Sequence, residues 1–318
     1  MIKNVLAAIL LFCALSGLLL AQEPKPNPPA TPPVPQTPTN PEIIKSRVEL
    51  VNVLMTVTDK RNHLVINMTR DDFHVFEDGK LQTVNYFSRE TDLPLRIAIL
   101  IDTSNSVRER LRFEQEAATD FLNTTIRRGK DQAFVVGFDI EPQLVQDYTD
   151  NTEALANAIH GLKAGGVTSL YDAIFFSCKE KLYYFPPPEP YLRRVMIVIS
   201  DGQDNQSEHT REDALAMAQR SEVTIFAIST NRSGTEMRGD KVLRYLAEKT
   251  GGRAFFPFEA SDLAENFQEI VHELRSQYSL AYVSTNNSHD GTFRNILVQP
   301  LDKSLHIRAK TGYFAPSQ

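Results

Sequence analysis

Cysteine is nearly absent. Cys13 and Cys178 are the only two in 318 residues. With Cys13 inside an apolar leader, the rest of the chain can close no internal disulfide, so its stability must come from an apolar core. A basic excess is absent too: 34 Lys and Arg stand against 40 Asp and Glu, a net charge of -6 with both signs interspersed. Such a balance gives no stripe for nucleic acid and no attraction to an anionic membrane surface. The chain has no Gly-x-x-x-x-Gly-Lys-Ser/Thr loop and no Gly-x-Ser-x-Gly elbow, which removes two common signatures of nucleotide and acyl-transfer chemistry. Its seven histidines, His63, His74, His160, His209, His272, His289 and His306, show no metal-ligand spacing and read as surface or satisfied core residues. No internal repeat is visible. What remains is globular composition, 42% apolar and 23% charged, with length for one large core and something smaller.

Residues 1–21 have one early lysine, an apolar run from Val5 to Ala21 and small residues before Gln22. That is the layout of a secretory signal, with cleavage expected after Ala21 and a retained signal anchor as the alternative. The anchor would be the chain's one link to a membrane. Phe12 before Cys13 argues against a lipoprotein signal. Export to the periplasm, the cell surface or the extracellular space follows. Residues 22–43 are proline-dense ("EPKPNPPATPPVPQTPTNP" from Glu23), so they cannot build ladders and read as an extended spacer.

Residues 44–90 alternate β-branched or aromatic residues with polar ones, and Asp78-Gly79 between "FHVFE" and "KLQTVNYF" is a strong hairpin signal. So small a sheet needs a second layer. Residues 277–318 return to strands ("YSLAYVS", "TFRNILVQPL", "LHIRAKTGYF") and supply one. Between them, over 91–276, short apolar runs "LRIAILI", "AFVVGF", "RRVMIVIS", "VTIFAIS" and "AFFPF" alternate with amphipathic segments at 107–126, 152–162, 170–184, 211–221, 241–250 and 262–277. Runs so apolar suit strands buried on both faces of a mainly parallel sheet. "EPQLVQDYT" is more polar and reads as an antiparallel edge, and Ser261 stands where a cap for the last helix would be. The expected fold is α/β: a doubly wound, mainly parallel, Rossmann-like sheet inserted in a small β-sandwich made by the N- and C-terminal segments.

The first α/β run stops at an aspartate in "ILIDTSNSV", and Ser104 and Ser106 follow Asp102 at alternate positions. No His or Lys stands beside them to take a proton, so they form a poor acid-base set but a good set of hard oxygen ligands. In open α/β sheets, ligands bind beyond the carboxyl ends of strands. "MIVISDGQDN" brings Asp201 to the same end, and the glycine-rich "GGVTSLYDA" brings Thr168, expected to be exposed. Asp204 reads as a turn-forming acid at the rim. Asp172 suits a helix N-terminus, with a supporting role behind the ligands as the alternative. Cys178 reads as a small core residue.

Asp-x-Ser-x-Ser, a distant Thr and an Asp ending a later strand resemble the metal-ion-dependent adhesion site of von Willebrand factor type A (VWA) domains. The resemblance implies Ser104, Ser106 and Thr168 as direct hydroxyl ligands and Asp102 and Asp201 as carboxylates that often act through water. Together with "DDFHVFEDGK" and the closing "RAKTGYF", the sequence is similar to the VWFA-related secreted family described from acidobacteria. Asn105 replaces the usual Gly of the first loop and is expected to supply the left-handed backbone. Val167 intrudes before Thr168.

Two carboxylates and three neutral hydroxyls suit Mg2+, or Mn2+ or Ca2+, rather than a soft metal, and leave the ion net positive with an open position. Such an ion accepts an Asp or Glu carboxylate of a protein partner, or an acidic glycan. The leading reading is therefore an exported, envelope-associated binding module and not an enzyme. Its rivals are a metal-dependent hydrolase on the same crevice, against which Ser104 stands where phosphotransferases of this architecture place a second acid, and an assembly scaffold with a vestigial site.

Overall fold

The computed structural model describes residues 50–89, 92–183, 192–231, 233 and 235–317. The leader, the proline-dense segment and the first residues of the first β segment lie outside them. Residues 48–318 form one compact unit. Among the described residues no helix is long and apolar enough to cross a membrane.

The central sheet takes its strands from the apolar runs: β5 (Leu95–Asp102), β6 (Gln132–Phe138), β7 (Pro142–Thr149), β8 (Arg193–Ser200), β9 (Val223–Ser229) and β10 (Ala254–Phe255). Their order is β10-β9-β8-β5-β6-β7, parallel except for the edge strand β7. Every residue of β5 is buried, as expected of a middle strand covered on both faces. One face packs against α1 (Leu111–Thr125), α2 (Thr152–Gly161) and α6 (Ala260–Leu274); the other packs against α3 (Leu170–Phe176), α4 (Arg211–Arg220) and α5 (Arg238–Lys249). This is the doubly wound arrangement.

The flanking strands close two four-stranded antiparallel sheets, each mixing both ends of the chain. The first has β1 (Leu50–Thr58), β4 (Val84–Arg89), β11 (Tyr278–Val283) and β13 (His306–Ala309), in the order β13-β1-β11-β4. The second has β2 (Phe73–Glu77), β3 (Lys80–Gln82), β12 (Phe293–Pro300) and β14 (Gly312–Phe314), in the order β14-β12-β2-β3. Val53, Met55, Val75, Tyr278, Leu280 and Tyr282 meet between them in a single apolar cluster. Asp78 and Gly79 both take positive φ, 47° and 79°, the geometry of a type I′ hairpin turn. A buried polar contact joins sandwich to helix layer: Thr56 Oγ1 and Arg308 Nη2 donate to the Glu273 carboxylate of α6 at 2.8 and 2.5 Å.

Local differences from the sequence reading have physical causes. Instead of one helix from residue 107, a 3-10 turn covers Asn105–Val107 and α1 starts at Leu111. The buried Arg110 between them donates to the Thr230 carbonyl, across the crevice. The helix expected to reach 184 is α-helical only to Phe176 and continues as a π-helical turn, Ser177–Leu182, where the buried Cys178 carbonyl accepts from Tyr183 N–H at 2.8 Å. Burial pushes the Cys178 thiol pKa up. Ser261 is not the cap of α6. The helix begins at Ala260, and the Asp262 carboxylate takes the N–H groups of Phe258 and Glu259 at 3.0 and 2.9 Å.

Asp131 fastens the start of β5. It is fully buried and accepts from Leu95 N–H at 2.8 Å, from Arg127 Nε at 2.7 Å and Nη2 at 2.9 Å, and from Arg275 Nη2 at 3.2 Å. Burial pushes its pKa up, but the Arg127 hydrogen bonds and charge outweigh that and hold it below the ordinary 3.8. Asp131→Asn should cost about 3 kcal/mol at neutral pH by leaving Arg127 and Arg275 without their buried charge partner. A depressed folded pKa contributes stability above the unfolded value and loses it as pH falls through the folded one. The gap between wild type and variant in urea melts should therefore narrow only below about pH 4. A gap unchanged down to pH 2 would count against the ion pair.

Candidate metal-binding crevice

The loops that follow β5 and β8, and the loop between α2 and α3 that carries Gly165, Gly166 and Thr168, hold one another by hydrogen bonds. Thr103 N–H, just past β5, donates to the Phe138 carbonyl at 2.9 Å, and its own carbonyl accepts from Gly165 N–H at 2.6 Å. Asn105 donates to the Gly166 carbonyl through both its backbone N–H (3.3 Å) and its side-chain Nδ2 (3.1 Å). Thr168 is then tied to the third loop: its N–H donates to Asn205 Oδ1 at 3.0 Å, and its carbonyl accepts from Asn205 and Gln206 N–H, each at 3.1 Å. All three predicted segments thus meet.

Asp102 is fully buried. Its Oδ1 accepts from Ser104 N–H at 2.9 Å and its Oδ2 from Ser200 Oγ at 2.7 Å. Burial raises its pKa to about 6, partly opposed by those hydrogen bonds and reinforced by the nearby charge of Asp201. Ser104 Oγ and Ser106 Oγ lie 2.9 Å apart, Ser104 buried and Ser106 open to solvent. Ser106 and Asp201 line one cavity of about 240 Å³ with Glu109, Arg110, Gln203 and Asn231. Asp201 is half-buried and accepts from Gln203 N–H at 3.0 Å.

Two expectations fail locally. Thr168 is buried, 3% exposed, because the Asn205 loop folds over it. Asn105 has no positive φ. It sits in the 3-10 turn and spends its side chain on Gly166 and on Arg108, whose Nη2 donates to its Oδ1 at 2.7 Å. It replaces Gly by adding a tether, not by imitating its backbone.

Asp204 and Asp172 weld the third loop to α3. Asp204 Oδ2 accepts from Tyr171 N–H at 3.0 Å and Ser207 Oγ at 2.6 Å. Asp172 accepts from Glu208 and His209 N–H, both at 2.9 Å, and its Oδ1 lies 2.7 Å from His209 Nδ1. Neither lines the cavity at Ser106 and Asp201. Sequence reasoning passed over Ser200, Asn205 and a glycine pair. Ser200 and Asn205 stand in the "SDGQDN" already singled out, so their spacing from Asp201 was a usable signal. The pair had none: Gly202 has φ of 74°, and a Cβ there would lie 2.2 Å from the Gly239 carbonyl oxygen at the start of α5.

Gly202→Ala should accordingly cost about 2 to 4 kcal/mol, from left-handed backbone and backbone overlap together, and should displace Asp201. Thermal melts and metal titration of that variant check both effects. A melt within about 1 °C of wild type would show that the loop tolerates a Cβ.

The donor set fits a hard cation: two carboxylates, one of them desolvated, and hydroxyls with no His or Cys among them. Among the described residues no group of three or more His, Cys, Asp or Glu side chains is placed to hold a metal, and a set carried mainly by hydroxyls is not of that kind.

No curated protein matches the sequence. Among solved structures, the PilB minor pilin from Streptococcus sanguinis is similar at 12% identity, over 58% of this chain and 62% of that one, with a TM-score of 0.46. This chain therefore spans less than two thirds of the pilin's length. A von Willebrand factor type A protein from Catenulispora acidiphila is similar at 14% identity over 86% and 75% of the two chains, with a TM-score of 0.48. Proximal thread matrix protein 1 from the mussel byssus, with a zinc-occupied MIDAS motif, is similar at 18% identity over 64% and 50%, with a TM-score of 0.49. The family model of the von Willebrand factor type A domain matches residues 97–203, the stretch that runs from β5 through the Asp201 loop, so the chain carries a VWA domain there.

Proposed function

We propose that this protein is an exported binding module in which Asp102, Ser104, Ser106, Thr168 and Asp201 hold a divalent cation, Mg2+ first, that grips an Asp or Glu carboxylate of a protein partner. The observation that carries the reading is the placement of Ser104 and Ser106 Oγ, 2.9 Å apart at the end of β5, with Ser106 sharing a cavity with Asp201. Adjacent ligands of an octahedral ion with 2.0–2.1 Å bonds stand about 2.9 Å apart, whereas the longer bonds to Ca2+ would spread them. The bound ion would supply a positive charge that the two carboxylates do not fully cover on the open side. The chain's own groups set its position: Ser200 and Ser104 N–H orient Asp102, and the Asn205 clamp fixes Thr168.

The test is retention of envelope proteins on the immobilised chain in Mg2+, followed by elution with chelator. A species that leaves only on chelation, and is not retained by Ser104→Ala resin, is the expected result. Retention indifferent to chelator would overturn the metal-dependent reading.

A further inference from the structure

At the opposite end of the central sheet, where β8 and β9 begin, a cavity of about 170 Å³ lies between that sheet and strand β1 of the sandwich. Arg194 and Lys310 line it beside Arg193, whose Nη1 donates to the Leu274 carbonyl, and Glu222 is the one carboxylate among its lining residues. The Arg194 and Lys310 side chains are only 16% and 15% exposed, so solvent screens them poorly. Glu222 pairs with both, but closely with neither. Its Oε1 lies 3.3 Å from Lys310 Nζ, but its Oε2 comes no nearer than 4.0 Å to Arg194 Nη1, outside hydrogen-bond reach. Arg194 Nε is already committed to the Leu182 carbonyl at 2.9 Å, which points the guanidinium and fixes its place.

Glu222 is unusual in a second way. It follows the end of α4 with φ of 52°, left-handed backbone that Gly or Asn ordinarily supplies at a helix end. The chain keeps a carboxylate there in spite of that preference. Its side chain is 56% exposed, so it can leave the cavity without breaking packing.

We propose that this cavity is a binding site for a small oxyanion carrying about two negative charges, clasped between Arg194 of the α/β sheet and Lys310 of the C-terminal segment, with Glu222 as a resident carboxylate that the ligand displaces. Size agrees: a 150 Å³ cavity admits a molecule like benzene, so a phosphate group or a four-carbon dicarboxylate enters with little room to spare. Polar groups at the wall, Asn52, Gln219 and Thr224, suit oxygen atoms better than apolar ones. Because Arg194 belongs to the α/β sheet and Lys310 to the end of the sandwich, an anion between them ties the two layers together.

The test measures thermal melting of the full chain in inorganic phosphate of about 20 mM, near pH 7.5, against sodium chloride of equal ionic strength, with succinate as a second arm. Phosphate or succinate should raise Tm by about 2 to 4 °C over chloride. The anion that does so at lower concentration identifies the headgroup as phosphate-like or dicarboxylate. Lys310→Gln and Arg194→Gln should each lose most of the rise. Glu222→Gln should respond at anion concentrations about three to five times lower than wild type, since a competing, partly exposed charge is gone. Ser104→Ala, at the other end of the sheet, should respond as wild type does. Because Glu222→Gln shifts in the opposite direction from the cation variants, general weakening of the fold cannot imitate the pattern. No rise over chloride with either anion in wild type and Glu222→Gln, or an undiminished rise in Lys310→Gln, would overturn the proposal.

Discussion

Deletion of residues 279–318 is expected to leave no folded sandwich. β11 is the strand that joins β1 to β4, and β12 is the strand that pairs with β2, so the deletion, which also takes β13 and β14, leaves each sheet with two of its four strands. It removes Leu280, Tyr282, Ile296 and Val298, all buried against Val53 and Val75. At about 2 kcal/mol for each buried side chain, the loss is about 8 kcal/mol before the newly exposed partners are counted. That rivals the whole stability margin of an ordinary domain, about 5–15 kcal/mol. Hydrogen exchange across Phe73–Gln82 reads the outcome, since amides of the Asp78-Gly79 hairpin should exchange as in an unfolded chain. A soluble truncated chain with that hairpin still protected would show that the N-terminal segment is a domain by itself.

The same strands explain which parts of the fold could be read from sequence. A strand buried on both faces must be apolar through its middle, and β5 is so from Ile97 to Ile101 and β8 from Val195 to Ile199, so their identity was written in the residues themselves. The sandwich strands show the other pattern: β12 alternates buried and exposed residues, and that period survives in the sequence. Helix ends were less legible because distant partners set them. α1 starts late where Arg110 reaches Thr230, and α5 starts early where Asp240 accepts from Met237 N–H at 2.8 Å. Thr168 looked exposed because loop residues usually are, and nothing near it in sequence announces that Asn205 will cover it. The three motif segments themselves were legible. The close approach of Gly202 to Gly239 became so only once the chain had brought them together.

Asp201→Ala and Ser104→Ala should separate a metal site from a set of loop caps, because the two readings give opposite signs in the absence of metal. Asp201 stands close enough to Asp102 for its charge to help push that carboxyl up to about 6, so without a cation the pair is mutually repulsive. Removing Asp201 therefore leaves the metal-free protein melting at or above the wild-type temperature. Adding Mg2+ reverses the order: wild type gains stability by linkage, and the variant, stripped of one of two neutralising charges, gains little. Calorimetric titration should show Mg2+ affinity reduced by at least about 100-fold in Asp201→Ala and by about 10-fold in Ser104→Ala, which loses a neutral ligand but no charge. Ser104→Ala also frees Ser106 from its 2.9 Å contact while keeping the backbone N–H that orients Asp102, so its fold should be intact. Were the hydroxyls and carboxylates only capping turns, Asp201→Ala would release the Gln203 N–H it accepts from and destabilise the protein equally with and without Mg2+. Equal melting losses in both conditions, with metal binding unchanged across wild type and the two variants, would reduce the crevice to a set of loop contacts.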